Sequence, residues 1–360
     1  MELSKLWLGI CPLKNSDKIN LLDIFNSSEE LLDHLLKHPR SLSIEEKIKC
    51  KLLEAWNKDE LLRTLEYLQK INARFITCED KEYNTNLNNI GKDKPYILFY
   101  KGDLAPLEKL TAAVVGSRNC TAYGREICAS IVQELTSLGI NIISGGAMGI
   151  DALAHEKALG NNNFTAAVLG CGIDVIYPEI NRNLLDTIAS RGALISEFLP
   201  GTKPFGFNFP VRNRIISGIA DIIIIIEASL KSGSCITGRR GADQGREVIA
   251  VPGALTMKNS QGCNKLIEEG AHIYLGIESI YNALDFNHKW TEQKKASPIL
   301  VKNSKIEDVI LKIISDKPTH IDEIQKSSNI DISVLYGLLF EMQLKNQIIS
   351  LSGNFYARII

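Results

Sequence analysis

Ala112-Ala113-Val114-Val115-Gly116-Ser117-Arg118, then a helical stretch, then Ile140-Asn141-Ile142-Ile143-Ser144-Gly145-Gly146 decide the fold of this 360-residue chain. Both ends of that stretch are short, nearly continuous apolar runs closed by small residues, the form of strands covered on both faces. Between them Ile127, Ile131, Val132 and Leu135 fit one face of a helix. Strand, helix and strand within roughly 30 residues make a βα unit. The runs recur at 166–169, 193–195, 222–226 and 248–251. Residues from about 111 to 280 are therefore expected to form an α/β, doubly wound, Rossmann-like parallel sheet.

Working outward, residues 1–70 carry Leu, Ile and Phe at helical spacing, as in Leu21, Leu22, Ile24 and Phe25, and predict a small helical domain. Phe75-Ile76-Thr77 and Tyr96-Ile97-Leu98-Phe99-Tyr100 predict short strands that open the next domain, over 71–285. A polar stretch at 286–304 reads as a linker. In 305–360, Ile306, Val309, Ile310, Ile313 and Ile314 form one helical face, two further helices follow, and Ser352-Gly353-Asn354 separates two apolar runs. Three helices followed by a hairpin predict a winged helix.

With Lys+Arg 41 against Asp+Glu 42, a net charge of -1 and 45% hydrophobic residues, the chain has ordinary globular composition. That balance excludes a surface cationic throughout. No apolar run reaches the roughly 18 residues of a membrane span, and residues 1–11 lack the basic and apolar regions of a signal peptide, so the expected location is the cytoplasm with no membrane partner. The eight cysteines never form a CxxC pair, so neither a metal site nor a disulfide framework is expected. His34 and His38 share a helix face without a clear third ligand.

In an open parallel sheet, ligands bind beyond the carboxyl ends of the strands. There Val115 is followed by Gly116-Ser117-Arg118, Ile143 by Ser144-Gly145-Gly146, Ile195 by Ser196-Glu197 and Ile226 by Glu227. Small residues admit an anion to backbone N-H groups at helix N-termini. The first turn lacks the GxGxxG fingerprint, which argues against a nicotinamide enzyme. Gly233 to Arg240 resembles a phosphate-cradling loop in its glycine spacing, but Arg239 replaces the required lysine, and Arg240 stands where Ser or Thr would hold the metal. No cofactor is expected.

Lys203-Pro204-Phe205-Gly206-Phe207-Asn208-Phe209-Pro210-Val211-Arg212-Asn213-Arg214 interleaves three phenylalanines with cations ahead of a helix of Ile215, Ile216 and Ile219. Aromatic faces for bases and cations for phosphates are what a single-strand binder needs. Over 201–246 seven basic residues face three acidic ones, a local charge of +4 inside a neutral chain. Catalytic constellations are weaker. Asp151 and His155 read as a helix brace, while Glu197 and Glu227 serve either as paired carboxylates for a nucleotide-processing enzyme or as partners of Arg212 or Arg214.

Val115-Gly116-Ser117-Arg118 with Tyr123-Gly124, Ser144 through His155, Asp174 with Tyr177-Pro178, Ser196-Glu197, Phe209 through Gly218, Gly233-Ser234 with Thr237, and Gly245 through Val248 with Val251-Pro252-Gly253 resemble the DNA-processing protein A (DprA/Smf) family, motif by motif and in order. The resemblance implies an N-terminal SAM-like helical domain, an extended Rossmann core and a C-terminal winged helix. It further implies a homodimeric, non-enzymatic protein that binds single-stranded DNA, protects it and loads the RecA recombinase during natural transformation. It assigns the strand to Gly116, Ser117, Arg118, Gly145, Gly146, Arg182, Lys203, Phe207, Phe209, Arg212, Asn213, Arg214, Gly233, Ser234 and Thr237. With Arg118, Arg182, Lys203 and Arg212 on phosphates, log K is expected to fall with log salt at a slope of roughly -2 to -3. Two departures limit it: Gly9-Ile10-Cys11-Pro12 lacks the second glycine of a phosphate-binding hairpin, and 305–360 sums to -1, which does not support duplex reading.

Overall fold

The computed structural model describes residues 2–38, 44–285, 309–314, 318–328, 330, 332, 335–336, 338–339, 342, 347–351 and 354–358. The chain divides into two units, 1–286 and 287–360. The expected linker at 286–304 lies outside the described residues, as do Ser352 and Gly353.

The first unit opens with helices α1 (Glu2–Ile10), α2 (Asn15–Phe25), α3 (Ser28–Lys37), α4 (Glu46–Ala55) and α5 (Lys58–Lys70). The Ser27 and Asn57 side chains accept N-H bonds at the starts of α3 and α5, which satisfies donors that a helix end otherwise leaves open. Strands β1 (Arg74–Thr77) and β2 (Ile97–Gly102) flank the short α6 (Thr85–Asn88). The repeat that follows runs β3 (Thr111–Val115), α7 (Ala122–Ser137), β4 (Asn141–Ser144), α8 (Ile150–Gly160), β5 (Thr165–Val168), α9 (Arg182–Arg191) and β6 (Ala193–Ser196). It continues through α10 (Asn208–Ile219), β7 (Ile222–Ile225), α11 (Gly233–Asp243), β8 (Glu247–Ala250), α12 (Gln261–Glu268), β9 (His272–Ile273) and α13 (Ile277–Asp285). From β3 to β8 each expected strand falls within a residue of its apolar run, while β2 runs two residues past Tyr100.

These strands form one sheet in the order β1-β2-β6-β5-β4-β3-β7-β8-β9. From β6 to β9 all neighbours are parallel, while β1 and β2 extend the edge antiparallel. Period-two alternation distributes successive side chains to opposite faces. Leu98, Ala166 and Val168 join the core under α10, α11 and α12, whereas Ile97, Phe99, Ala167 and Leu169 join a second core. That second core is shared with the N-terminal helices through Leu6, Trp7, Leu31, Leu52 and Leu61. The Trp7 indole N-H donates to the Leu52 carbonyl at 3.0 Å, so the buried ring keeps its polar bond.

One element starts earlier than its sequence suggests. The helix expected from Ile215 begins at Asn208, which puts Phe209, Arg212 and Arg214 on α10 rather than on a loop. Pro210 is no obstacle, because a first-turn N-H has no intrahelical partner to lose.

In the second unit β10 (Thr319–His320), β11 (Ile348–Leu351) and β12 (Phe355–Arg358) form a small antiparallel sheet, ordered β10-β12-β11. With the helix Ile321–Ser328 it encloses Ile310, Ile314, Ile324, Leu335, Leu339 and Met342. A hairpin following helices is the winged-helix arrangement expected there.

Candidate nucleic-acid interface

β3 lies between β4 and β7, so the chain leaves its carboxyl end toward one side and returns on the other. At such a switch point the loops diverge and leave a crevice. A cleft of about 690 Å³ occupies it, lined by Gly116, Ser117 and Arg118 after β3, Ala147 and Asp151 after β4, and Ser229, Lys231 to Ser234, Ile236 and Thr237 after β7. Tyr177, Pro204, Gly206, Phe209, Pro210, Arg212 and Asn213 complete its wall.

The floor is a buried guanidinium. Arg212 is 4% exposed, and its Nη1 donates to the Gly145 carbonyl at 2.7 Å and to the Val168 carbonyl. Its Nε donates to Asn213 Oδ1 at 3.1 Å. The Asp151 carboxylate accepts the Gly145 N-H at 3.1 Å and attracts the Arg212 charge. Burial pulls Arg212 down to about 10, opposed by Asp151, and pushes the Asp151 carboxyl up, opposed by Arg212. Arg212 is therefore cationic at neutral pH, with the Asp151 carboxyl beside it in the same lining. Gly145 is required here by close approach, since a Cβ on it would stand 2.6 Å from both Arg212 Nη2 and Asp151 Oδ2.

Above the floor stands an aromatic face capped by a second cation. Phe209 and Arg212, three residues apart on α10, share a helix face. The Phe209 ring packs 5.5 Å from Tyr177 and has the exposed Arg118 guanidinium 5.3 Å from its centroid. Its seat depends on Gly170, where a Cβ would meet the ring at 2.7 Å. The opposite wall is the start of α11. Ser232 Oγ accepts the Ser234 N-H at 3.2 Å, and the Ser234 hydroxyl donates to the Gly116 carbonyl at 2.9 Å, tying α11 to the β3 turn. Thr237 Oγ1 and Asn213 Nδ2 both donate to the Gly233 carbonyl, each at 3.2 Å. Exposed Lys231 precedes that cap.

Gly116, Ser117, Arg118, Phe209, Arg212, Asn213, Gly233, Ser234 and Thr237 thus meet in one cleft. The remaining expected site residues lie outside its lining. The Gly145 N-H, expected as an anion donor, is taken by Asp151, and the Gly146 carbonyl accepts from Asn181. Exposed Arg182 forks onto Glu179 at 2.7 and 3.0 Å. Lys203 and Phe207 are exposed beside Pro204 and Gly206 of the rim. Arg214 is buried and donates to both Glu197 oxygens at 2.6 and 2.8 Å.

The carboxylates of the enzyme reading are also engaged. Glu197 accepts from Arg214 and from Asn15 at 2.5 Å. Glu227 accepts the Thr121 N-H and hydroxyl at 2.9 and 2.5 Å rather than pairing with an arginine. Neither lines the cleft. His155 does not touch Asp151 as a pair. Its Nδ1 meets the Thr165 hydroxyl at 2.7 Å, and burial lowers it to about 3. Among the described residues no three metal-ligating side chains converge, and no helix is long and apolar enough to cross a membrane.

The model of the DNA recombination-mediator protein A family matches residues 74–285, the sheet and its cleft. The chain belongs to that family. A second family model, the DprA winged helix domain, matches residues 294–354. Among relatives of this recombination mediator, the DNA processing protein DprA of Streptococcus pneumoniae is 42% identical over 54% of this chain and 68% of its own. Protein Smf of Escherichia coli is 33% identical over 80% of this chain and 78% of its own. The X-ray structure of the Streptococcus pneumoniae protein superposes with a TM-score of 0.69 at 33% identity, covering 78% of this chain and 97% of that one. DNA processing protein A from Helicobacter pylori, whose single-stranded DNA binding mode has been studied structurally, superposes at 0.53 with 31% identity, over 60% of this chain and 96% of that one.

Two lining residues, Lys231 and Tyr177, stand outside the expected site residues. The signal for Lys231 was its place between the end of β7 and the Ser232 cap. Tyr177 carried none, because its ring reaches Phe209 from a loop far away in sequence.

Proposed function

We propose that this recombination mediator holds a single strand of DNA along the switch-point cleft, with one base on Phe209 and phosphates near Arg118, Lys203 and Lys231. The observation that carries the reading is the Arg118 guanidinium over the Phe209 ring at the cleft mouth, a cation and an aromatic face in one place. Arg212 acts from beneath, fixing the turn after β4 without reaching a phosphate. Duplex DNA presents no unstacked base to such a face, so the cleft prefers single strands.

In this reading the protein is not an enzyme: Glu197 and Glu227 hold Arg214 and Thr121 and leave the cleft without a free acid/base pair. It protects incoming DNA in the cytoplasm and passes it to the RecA recombinase during natural transformation, acting as a homodimer. We take 1–70, 71–285, 286–304 and 305–360 as its functional divisions. Fluorescence anisotropy with a labelled oligothymidylate tests the binding step. Arg118→Ala is expected to weaken binding at least tenfold while leaving the unfolding midpoint in place, and unchanged affinity would refute the placement.

A further inference from the structure

Two phenylalanines at the rim are in excess of what the fold uses. Phe205 and Phe207 are 48% and 71% exposed, although large aromatic side chains dominate core energetics wherever they are buried. Their rings lie 5.5 Å apart and 5° from parallel, an offset parallel pair that overlaps little and leaves much of its aromatic surface to solvent.

The segment that carries them is held firmly. The Gly172 N-H donates to the Thr202 carbonyl at 2.9 Å, and the Gly201 N-H to Asp174 Oδ1 at 2.7 Å. On the other side the Asn208 N-H donates to the Phe205 carbonyl at 3.0 Å, and its buried side chain to the Gly170 carbonyl at 3.1 Å. The stacked pair therefore stands on a braced backbone, rooted next to the cleft-lining Pro204 and Gly206. The exposed charge of this segment is Lys203; Arg212 and Arg214 further along are buried, and Arg214 is paired with Glu197.

We propose that Phe205 and Phe207 form a second base-stacking platform outside the cleft, which takes a further base of the same strand on its outer aromatic face. This rests on the single-strand reading of the cleft and extends it along the strand. An aromatic face without a polar atom accepts any base, so the platform adds affinity without sequence preference. Exposed Lys203 on the same segment, with Arg118 and Lys231 at the adjoining cleft, favours a polyanion over an apolar protein surface, and a rigid mount reduces the ordering cost of binding.

The test compares wild type, Phe205→Ala/Phe207→Ala, Phe205→Tyr/Phe207→Tyr and Arg118→Ala on oligothymidylates of about 4 to 16 nucleotides, a common range of single-strand site sizes. A fully abasic strand of the longest length completes the set. Wild type is expected to gain affinity with length. The alanine pair should lose roughly 5- to 140-fold on long strands, nothing on the shortest, and nothing relative to wild type on the abasic strand. The tyrosine pair should retain the gain, and Arg118→Ala should weaken every length. Equal binding by the alanine pair and wild type at all lengths would overturn the platform and leave the cleft reading standing. So would an equal loss on the abasic strand, or a change confined to self-association in sedimentation. Wild type that binds no oligonucleotide would defeat both.

Discussion

The salt dependence of DNA binding follows from how many cations the structure leaves for phosphates. Of the four that sequence reading put on the strand, Arg212 is 4% exposed and donates to two backbone carbonyls, and Arg182 is forked on Glu179 outside the cleft. Arg118 and Lys203 remain, and Lys231 on the α11 wall joins them. Three neutralised phosphates on a single strand give a slope of log K against log salt of about -2. Between about 50 and 200 mM salt the affinity should fall roughly 20-fold. Lys231→Ala should make the slope shallower by about 0.7, while Arg182→Ala should leave it unchanged. Anisotropy titrations of one labelled oligothymidylate across that range measure all three. A wild-type slope steeper than about -3, or a shallower slope for Arg182→Ala, would mean that Arg182 or Arg212 reaches the strand, and the count would be wrong. A flat response would remove the electrostatic account altogether.

Three further outcomes follow from the same geometry. Phe209→Ala should cost about 1 to 3 kcal/mol of oligonucleotide affinity; urea unfolding of the same variant separates this from lost packing, and undiminished binding would take the ring out of the site. The Glu197 and Arg214 pair is buried, so Glu197→Ala should lose about 3 to 5 kcal/mol of stability by stranding the guanidinium. The double change Glu197→Leu/Arg214→Met should lose less than the two single changes together, and strict additivity in denaturant titrations would contradict the pairing. His155, held near 3 by burial against its ordinary 6.5, stays neutral in the fold while the unfolded chain takes up a proton. Its contribution is complete above pH 6.5 and is lost as pH falls toward 3, by at most about 1.4 kcal/mol per pH unit. His155→Gln should flatten that window in pH-dependent unfolding, and an unaltered profile would count against it.

The sheet was legible because its strands are buried on both faces, and continuous Ile, Val and Ala runs such as 222–226 have few other uses. The edges were less so. β9 is two residues long, too short to leave a periodicity. The aromatic and basic segment was legible by composition, yet its division of labour was not. Arg212 reads like any surface cation, and only the tertiary approach of the Gly145 and Val168 carbonyls turns it into a floor. Arg214 lies two residues further, about 200° around the helix, and so faces Glu197 instead of the cleft. The apolar run Ile215, Ile216 and Ile219 marks only the second half of helix α10, whose first turns carry no such run. The N-terminal helices differ in sequence texture from the sheet, and Leu6 and Trp7 pack into one core with Ile97 and Phe99.

The proposed groove for one strand is built on Arg118 and Phe209 at the switch point. The most direct measurement is a titration of wild type and Arg118→Ala with a single-stranded oligonucleotide and its duplex at one salt concentration. Wild type should bind the single strand at least tenfold more tightly than the duplex, and Arg118→Ala should abolish most of that difference. Equal affinity for both forms, or a preference untouched by the substitution, would contradict the account.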